Sequence, residues 1–187
     1  MDDDPAEVIA ALIEGKGEGR YGLSSVNQRA HALQAAWLAE QSGCDSALIT
    51  AGLVHDIGHM VQDLGEDPAA GGIDDRHEGV GTDFLRQYFG PEVTEPVRLH
   101  VAAKRYLCAT EADYFRRLSP DSVRSLALQG GPMSDREVNA FAALRQSVAA
   151  VQLRRFDEAA KVKDLATPPV AYFLPHLRRC LSSGNGD

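Results

Sequence analysis

The sequence has little cysteine, and the few cysteines lie far apart. Its 187 residues include Cys44, Cys108 and Cys180, an odd number without the close pairing of a zinc site. We therefore expect reduced thiols, the state that the cytoplasm maintains. The acidic start lacks the basic character of a targeting segment, and no apolar run approaches the ~18 residues of a membrane span. The sequence thus predicts a cytoplasmic protein with no membrane partner.

Basic residues are outnumbered, which limits the possible partners. Lys and Arg together number 19 against 27 Asp and Glu, and the formal net charge is -8 at pH 7. Nucleic acids bind to basic surfaces, so this balance disfavours a nucleic-acid partner while permitting a local cationic pocket for a small anion. A hydrophobic content of 44% is ordinary for a soluble globular protein. We expect one domain over residues 1–187, and no pattern indicates its oligomeric state.

Strand-like alternation is also missing, and the apolar residues recur with helical spacing instead. The predicted fold class is therefore all-α. Helices are expected at residues 5–14, 25–41, 45–59, 77–88 and 169–181, from 91 through 104, from 119, and from 134 through 151 and beyond. Gly15 is the expected end of the first helix and Ser25 the N-cap of the second. Ser134 and Glu137 have the spacing of a capping box.

Two loops rich in glycine or in Asp, Gly and Pro interrupt this helical pattern. The loop at 15–24 contains four glycines, so it can move and present Tyr21 and Ser24. The gap at 62–75 is a candidate lid.

An adjacent pair, His55 and Asp56, stands inside an apolar run. A buried imidazole and carboxylate need partners, and a metal cation is a partner that both accept. On a helix the two side chains would lie about 100° apart, and His59 would share the face of His55. A lone pair of this kind is more often an ordinary helix end. A series of further candidates favours a metal site: His31, His59, His77, His100 and Asp157.

Two cations lie one helical turn from these candidates. Lys104 follows His100 by four residues, and Arg154 precedes Asp157 by three. Each has an ordinary interpretation, a solvated lysine and a surface ion pair. Beside a metal site, each could instead attract an anionic ligand. His176 has no companion and is not expected to be a ligand.

The order His31, His55-Asp56, Asp157 resembles the HD-domain superfamily, a helical bundle in which these side chains hold a metal. The additional His77 and His100 resemble its subset with two metals, in which the Asp of the pair bridges. Around the ligands, four segments are similar to the mixed-valent diiron HD oxygenases of phosphonate breakdown, and the similarity extends over residues 21–163. These segments are 28–31, 55–59, 100–107 and 129–133.

This resemblance implies an HD-type helical bundle with a full set of site residues. The implied iron ligands are His31, His55, Asp56, His77, His100 and Asp157. The implied phosphonate contacts are His59, Lys104, Ser122 and Arg154, and Tyr21 would cap an open iron position until substrate displaces it. The implied cofactor is an Fe(II)/Fe(III) pair, with O2 as co-substrate. The implied reaction cleaves the C–P bond of a small organophosphonate to phosphate and a carboxylate, with Tyr21 and His59 at the catalytic centre.

Ser24 departs from the glutamate that the glycine-forming members of this family have three residues after the tyrosine. A trimethylammonium group has no N–H and needs room, so the smaller residue favours 1-hydroxy-2-(trimethylamino)ethylphosphonate, with glycine betaine as product. The alternative is the primary-amine analogue, which gives glycine. A metal-dependent HD phosphohydrolase would use the same ligands, and a non-catalytic HD module would have no need to keep all six.

Overall fold

The computed structural model describes residues 4–19, 26–62 and 76–182 of the chain. Over these residues the protein is helical and contains no β-strand, which confirms the predicted all-α fold. The α-helices are α1 (Pro5–Lys16), α2 (Gln28–Gln41), α3 (Ser46–Val54), α4 (Ile57–Val61), α5 (His77–Leu85), α6 (Pro91–Thr110), α7 (Pro120–Leu128), α8 (Asp135–Ala142), α9 (Ser147–Ala159) and α10 (Leu174–Cys180). Short 3-10 helices lie at Phe115–Arg117 and Val170–Phe173. None of the helices in these ranges is long and apolar enough to cross a membrane.

The helices enclose one main apolar core. α2 packs against α3 and α9, and α6 packs against α3, α5 and α9, while α1 and α10 pack against each other. Fully buried members of the core include Ile9, Ile13, Leu53, Ile57, Leu85, Leu153, Phe173 and Leu177. Each large apolar side chain stabilises the fold by about 1.5–3 kcal/mol when it leaves water. The core therefore holds α2, α3, α6 and α9 in a fixed arrangement.

Side-chain caps account for several helix starts. Caps that accept a backbone N–H are Asp4, Asn27, Asp45, Ser119 and Ser134. The capping box of Ser134 and Glu137 is present as predicted. The predicted N-cap at Ser25 is wrong, because Asn27 Oδ1 accepts the Ala30 N–H at 2.7 Å instead.

The first helix is longer than predicted. α1 passes through Gly15 and ends at Lys16. Gly17 then lies against α2, where a Cβ would be 3.1 Å from the Cα of Arg29. The close approach of the two helices, rather than the first glycine, sets the end of α1.

The predicted third helix is broken at its most polar point. It ends at Val54, and α4 begins at Ile57, so His55 and Asp56 form a junction between two helices. The His55 imidazole donates Nδ1–H to the Gly52 carbonyl oxygen at 2.8 Å, which competes with the helical hydrogen bond to that carbonyl. His55 and His59 therefore do not share the face of one continuous helix, and that expectation is wrong.

The long helix predicted from Ser134 is also divided. α8 ends at Ala142 and α9 begins at Ser147, with a tight turn between them in which Leu144 N–H bonds to the Phe141 carbonyl at 3.0 Å. The Ser147 hydroxyl donates to the Ala142 carbonyl oxygen at 3.3 Å, a further bond that competes with helix continuation. Because the helix is divided here, the Phe141 side chain packs in a small apolar cluster with Leu99 and Ala103 of α6.

Gly58 on α4 is a position where a larger residue would disturb the fold. A Cβ there would lie 2.7 Å from the carbonyl carbon of His77 and 2.9 Å from its Cα, both backbone atoms at the start of α5. We expect Gly58→Ala to lower the free energy of unfolding by about 2–3 kcal/mol, because α4 and α5 must separate. Gly79→Ala is the matched control, because nothing lies within 4 Å of a Cβ there.

Chemical denaturation of both variants measures this difference. The control should be unchanged or more stable by about 0.5–1 kcal/mol, the gain of Ala over Gly in a helix. Equal stability of the two variants would contradict the close packing of α4 on α5.

Candidate metal centre

Six polar side chains from five parts of the fold meet inside the bundle. His31 comes from α2, His100 from α6 and Asp157 from α9, while His77 begins α5. His55 and Asp56 come from the junction between α3 and α4. Each of these side chains is buried, with His77 the most exposed at 9%. The structure therefore brings together the six residues that the sequence predicted as metal ligands, although their role as ligands stays a prediction.

The histidines form two pairs. The Nε2 atoms of His31 and His55 are 3.0 Å apart, and those of His77 and His100 are 3.2 Å apart. Asp157 adds a carboxylate oxygen to the first pair, with Oδ1 at 3.4 Å from His31 Nε2. The donors thus divide into two groups, each of a size that suits one metal ion.

Asp56 lies between the two pairs. Its Oδ2 is 3.4 Å from the Nε2 atoms of both His31 and His55. Its Oδ1 is 3.4 Å from His77 Nε2 and 3.6 Å from His100 Nε2. One carboxylate oxygen therefore faces each pair, which is the arrangement needed to bridge two metal ions.

Hydrogen bonds to backbone carbonyls define which nitrogen of three imidazole rings faces the centre of the cluster. The Nδ1 atoms of His31, His55 and His100 lie 2.7–2.8 Å from carbonyl oxygens of Ala160, Gly52 and Val97. A carbonyl oxygen only accepts, so each Nδ1 carries the proton. In the neutral rings Nε2 then presents a lone pair toward the interior. A ring fixed in this way by a second hydrogen bond is typical of a metal ligand.

The charges in the cluster favour a bound cation. Burial raises the pKa of Asp56, but His55, His31 and His77 outweigh it and hold that pKa well below its usual range. Burial lowers the pKa of His31, yet the neighbouring carboxylates of Asp157 and Asp56 raise that pKa to about 9. Burial, with His77 nearby, lowers the pKa of His100 to about 3. The carboxylates stay ionised, and a shared positive charge between them is favourable.

The donor set fits a metal. Asp56 Oδ2 is buried and accepts no hydrogen bond from the part of the chain that the structure describes. Imidazole nitrogens with carboxylate oxygens suit first-row transition metals such as iron, manganese and zinc. The residues present therefore fit a dinuclear centre, with His31, His55 and Asp157 on one side, His77 and His100 on the other, and Asp56 between them.

His59 lies beside the second half of the cluster. Its imidazole stacks on that of His77, with ring centroids 4.1 Å apart. A ligand atom of His59 also lies within 4.8 Å of those of Asp56 and His77. The side chain is half-buried, so it can reach either the second metal position or a molecule bound there. His176 lies apart from the cluster, bonded to Ser46 and Glu40.

Arg154 is not a surface residue. It is 4% exposed, and its guanidinium donates to Asp157 and Glu158, to Tyr114 Oη at 3.1 Å and to Ser122 Oγ at 3.0 Å. The interpretation as a surface ion pair is therefore wrong. The guanidinium orients the Asp157 carboxylate, because it holds Oδ2 while Oδ1 faces His31.

Lys104 is not solvated either. It is 2% exposed, and its ammonium donates to Ser125 Oγ at 2.7 Å. Burial, with Arg154 close by, lowers the pKa of Lys104 to about 7. The structure thus places Lys104, Ser122 and Arg154 on one side of the cluster, as a cationic region next to Asp157.

Three residues that the sequence interpretation missed complete this region. They are Tyr114, Glu158 and Lys161. Glu158 and Lys161 each follow a predicted site residue by four positions, so helical spacing could have indicated them. Two predicted site residues, Tyr21 and Ser24, lie outside the described residues, as does nearly all of the predicted lid at 62–75.

Comparisons with known proteins agree with this geometry. The family model described as HD domain matches residues 29–143. The [1-hydroxy-2-(trimethylamino)ethyl]phosphonate dioxygenase (glycine-betaine-forming) of Leisingera caerulea is 39% identical over 180 residues, which is 96% of this chain and 92% of that protein. The hydroxymethylphosphonate dioxygenase of Gimesia maris is 44% identical over 181 residues, which is 95% of this chain and 90% of that protein. The chain therefore belongs to the HD-domain family, in the group that includes these phosphonate dioxygenases.

Proposed function

We propose that this protein binds two iron ions and uses O2 to cleave the C–P bond of a 1-hydroxyphosphonate. The products are phosphate and a carboxylate, and one O2 is consumed for each phosphate released. The division of the Asp56 oxygens between two histidine pairs is the observation that carries the dinuclear part of this proposal. The names of the two relatives support the reaction.

The described ligands would hold the irons at fixed positions. His31, His55 and Asp157 would hold one iron, and His77 and His100 would hold the other. Asp56, which lies between the two groups, would complete the ligand set. When bound, a mixed-valent Fe(II)/Fe(III) pair would supply the redox chemistry that activates O2 for oxidation at C1, and the electrons that reduce O2 would come from the substrate. Fixed backbone partners of three imidazoles keep the donor atoms in place, so little reorganisation accompanies the reaction.

The cationic region supplies the binding energy for the phosphonate. Lys104 and Ser122 lie close to Arg154, and all three side chains are buried. A phosphonate dianion that enters this region exchanges water for charge-assisted hydrogen bonds, which are about twice as strong as neutral ones. Binding at the phosphonate end orients C1 over the metal centre. We propose that His59, which stacks on His77, contacts the substrate from that side. Tyr21 would cap the open iron position until substrate displaces it.

A phosphohydrolase would use the same donors but would need neither iron redox chemistry nor O2. Both relatives reported above are named as dioxygenases, which favours the oxidative reaction.

We further propose the trimethylammonium hydroxyphosphonate as substrate, with glycine betaine as product. A serine at position 24 is smaller than the glutamate of the glycine-forming members, which favours a bulky headgroup, and the relative that is named for this reaction is 39% identical. Hydroxymethylphosphonate is a second candidate, favoured by the 44% identity to the enzyme named for it. The primary-amine substrate, which gives glycine, is the remaining alternative.

Side-by-side kinetics with these three hydroxyphosphonates test the proposal. Iron-loaded protein should release phosphate only with O2 present, and kcat/KM should be highest for the trimethylammonium compound. Ser24→Glu should narrow that preference, because a carboxylate side chain fills space and favours a primary ammonium.

Phosphate release without O2, supported by zinc or manganese, would instead assign a phosphohydrolase. A clear preference for hydroxymethylphosphonate or the primary amine would keep the reaction and change the substrate.

The pH dependence of kcat/KM tests the role of Lys104. Its pKa of about 7 means that the ammonium is charged below pH 7 and neutral above it, so phosphonate binding should be lost as pH rises through 7. We expect kcat/KM to fall by about tenfold by pH 8.5. In Lys104→Arg the guanidinium stays charged, and this fall should be absent. Ionisation of the substrate affects both enzymes alike, so identical profiles would show that Lys104 does not bind the phosphonate.

A further inference from the structure

Lys161 follows the end of α9 and points back into the cationic region. Its Nζ lies 3.3 Å from Ser122 Oγ and from Glu158 Oε2, and 3.8 Å from Asp157 Oδ1. The side chain is 13% exposed. The ammonium is therefore next to a carboxylate oxygen of the metal centre and beside a hydroxyl that also contacts Arg154.

The backbone around Lys161 is fixed on both sides by α2. The Ala160 carbonyl oxygen accepts from His31 Nδ1 at 2.7 Å. The Gln34 side chain accepts the Val162 N–H at 3.0 Å and donates to the Val162 carbonyl at 2.8 Å. Gln34 is 1% exposed. Because its buried side-chain amide pairs with both the N–H and the carbonyl oxygen of Val162, it strongly restrains the backbone of that residue. The position of Lys161 is thus defined by the helix that also carries His31.

The charges of the region favour an anion. Lys104, Arg154 and Lys161 are its cations, and Asp157 and Glu158 are its carboxylates. Glu158 also accepts the Ser119 N–H at 2.7 Å, at the start of α7, while Oδ1 of Asp157 faces His31. When Lys104 is protonated, three cations against two carboxylates leave an excess of one positive charge. Without Lys161, this excess would be absent.

We propose that Lys161 is a third cation that binds the phosphonate group, with Gln34 as the positioning residue that holds its backbone. This inference rests on the proposed function, because the anion is taken to be the substrate phosphonate and the phosphate product. The flexible stem of a lysine lets the ammonium turn from Glu158 to a bound anion without moving the backbone. Phosphonate and phosphate share the PO3 group, so both should depend on Lys161.

Calorimetry on iron-loaded protein without O2 measures this directly, with inorganic phosphate and hydroxymethylphosphonate as the probes. Lys161→Gln should raise the Kd of both by about tenfold or more, the loss expected for one charge-assisted hydrogen bond. Lys161→Arg should stay within a few-fold of the parent. Lys163→Gln is the matched control, because it removes the same charge from an exposed position on the same segment and should have no effect. Iron content should be unchanged in all three variants.

Gln34→Met tests the positioning role. It should raise the Kd in the parent but add nothing in the Lys161→Gln background, because the lysine that it positions is already gone. Unchanged binding by Lys161→Gln would overturn the inference. Loss of iron or of folding in Lys161→Gln would also overturn it, because Lys161 would then be a counter-ion for Asp157 and Glu158.

The inference and the proposed function fail in different ways. If Lys161→Gln loses phosphate binding but no hydroxyphosphonate is oxidised by the parent, the anion site stands and the reaction is wrong. If the parent oxidises a hydroxyphosphonate and Lys161→Gln keeps the same KM, the reaction stands and the role of Lys161 is wrong.

Discussion

The burial of two carboxylates among four imidazoles is the constraint on which the rest of the structure depends. Isolated ionised groups are costly in a protein interior, and here Asp56 and Asp157 are 4% and 1% exposed. Positive charge between the donors removes that cost. Asp56 presents one oxygen to each histidine pair, so a single bridging residue connects the two halves of the centre. The positions of the donors fit the dinuclear site that we propose.

Those donors come from several helices, and contacts between the helices hold them together. After the helix break at Val54, the side chains of His55 and Asp56 point into the interior. The close contact of Gly58 with His77 brings α5 to the same place. The backbone of Ala160 then fixes His31 from the far end of α9. The same segment carries Lys161, so the candidate metal ligands and the cationic region share part of their support.

Helical periodicity was sufficient to predict the all-α class, whereas the six residues that meet in the centre were implied by the family resemblance that their order carries. It could not predict the break at His55 and Asp56, because these two side chains meet partners on α2, α5 and α6 that are distant in sequence. Nor could it show that Arg154 and Lys104 are buried. Lys104 is bonded to Ser125, and Arg154 to Tyr114 and Ser122, and these contacts with α7 and the segment before it depend on the tertiary fold.

We propose that the six side chains around Asp56 hold two coupled irons in one centre. Low-temperature EPR spectroscopy of the partly oxidised, iron-loaded protein, with the iron content determined on the same sample, tests it most directly. We expect two irons per chain and the signal of a coupled Fe(II)/Fe(III) pair. One iron per chain, or the signal of a magnetically isolated Fe(III), would contradict it.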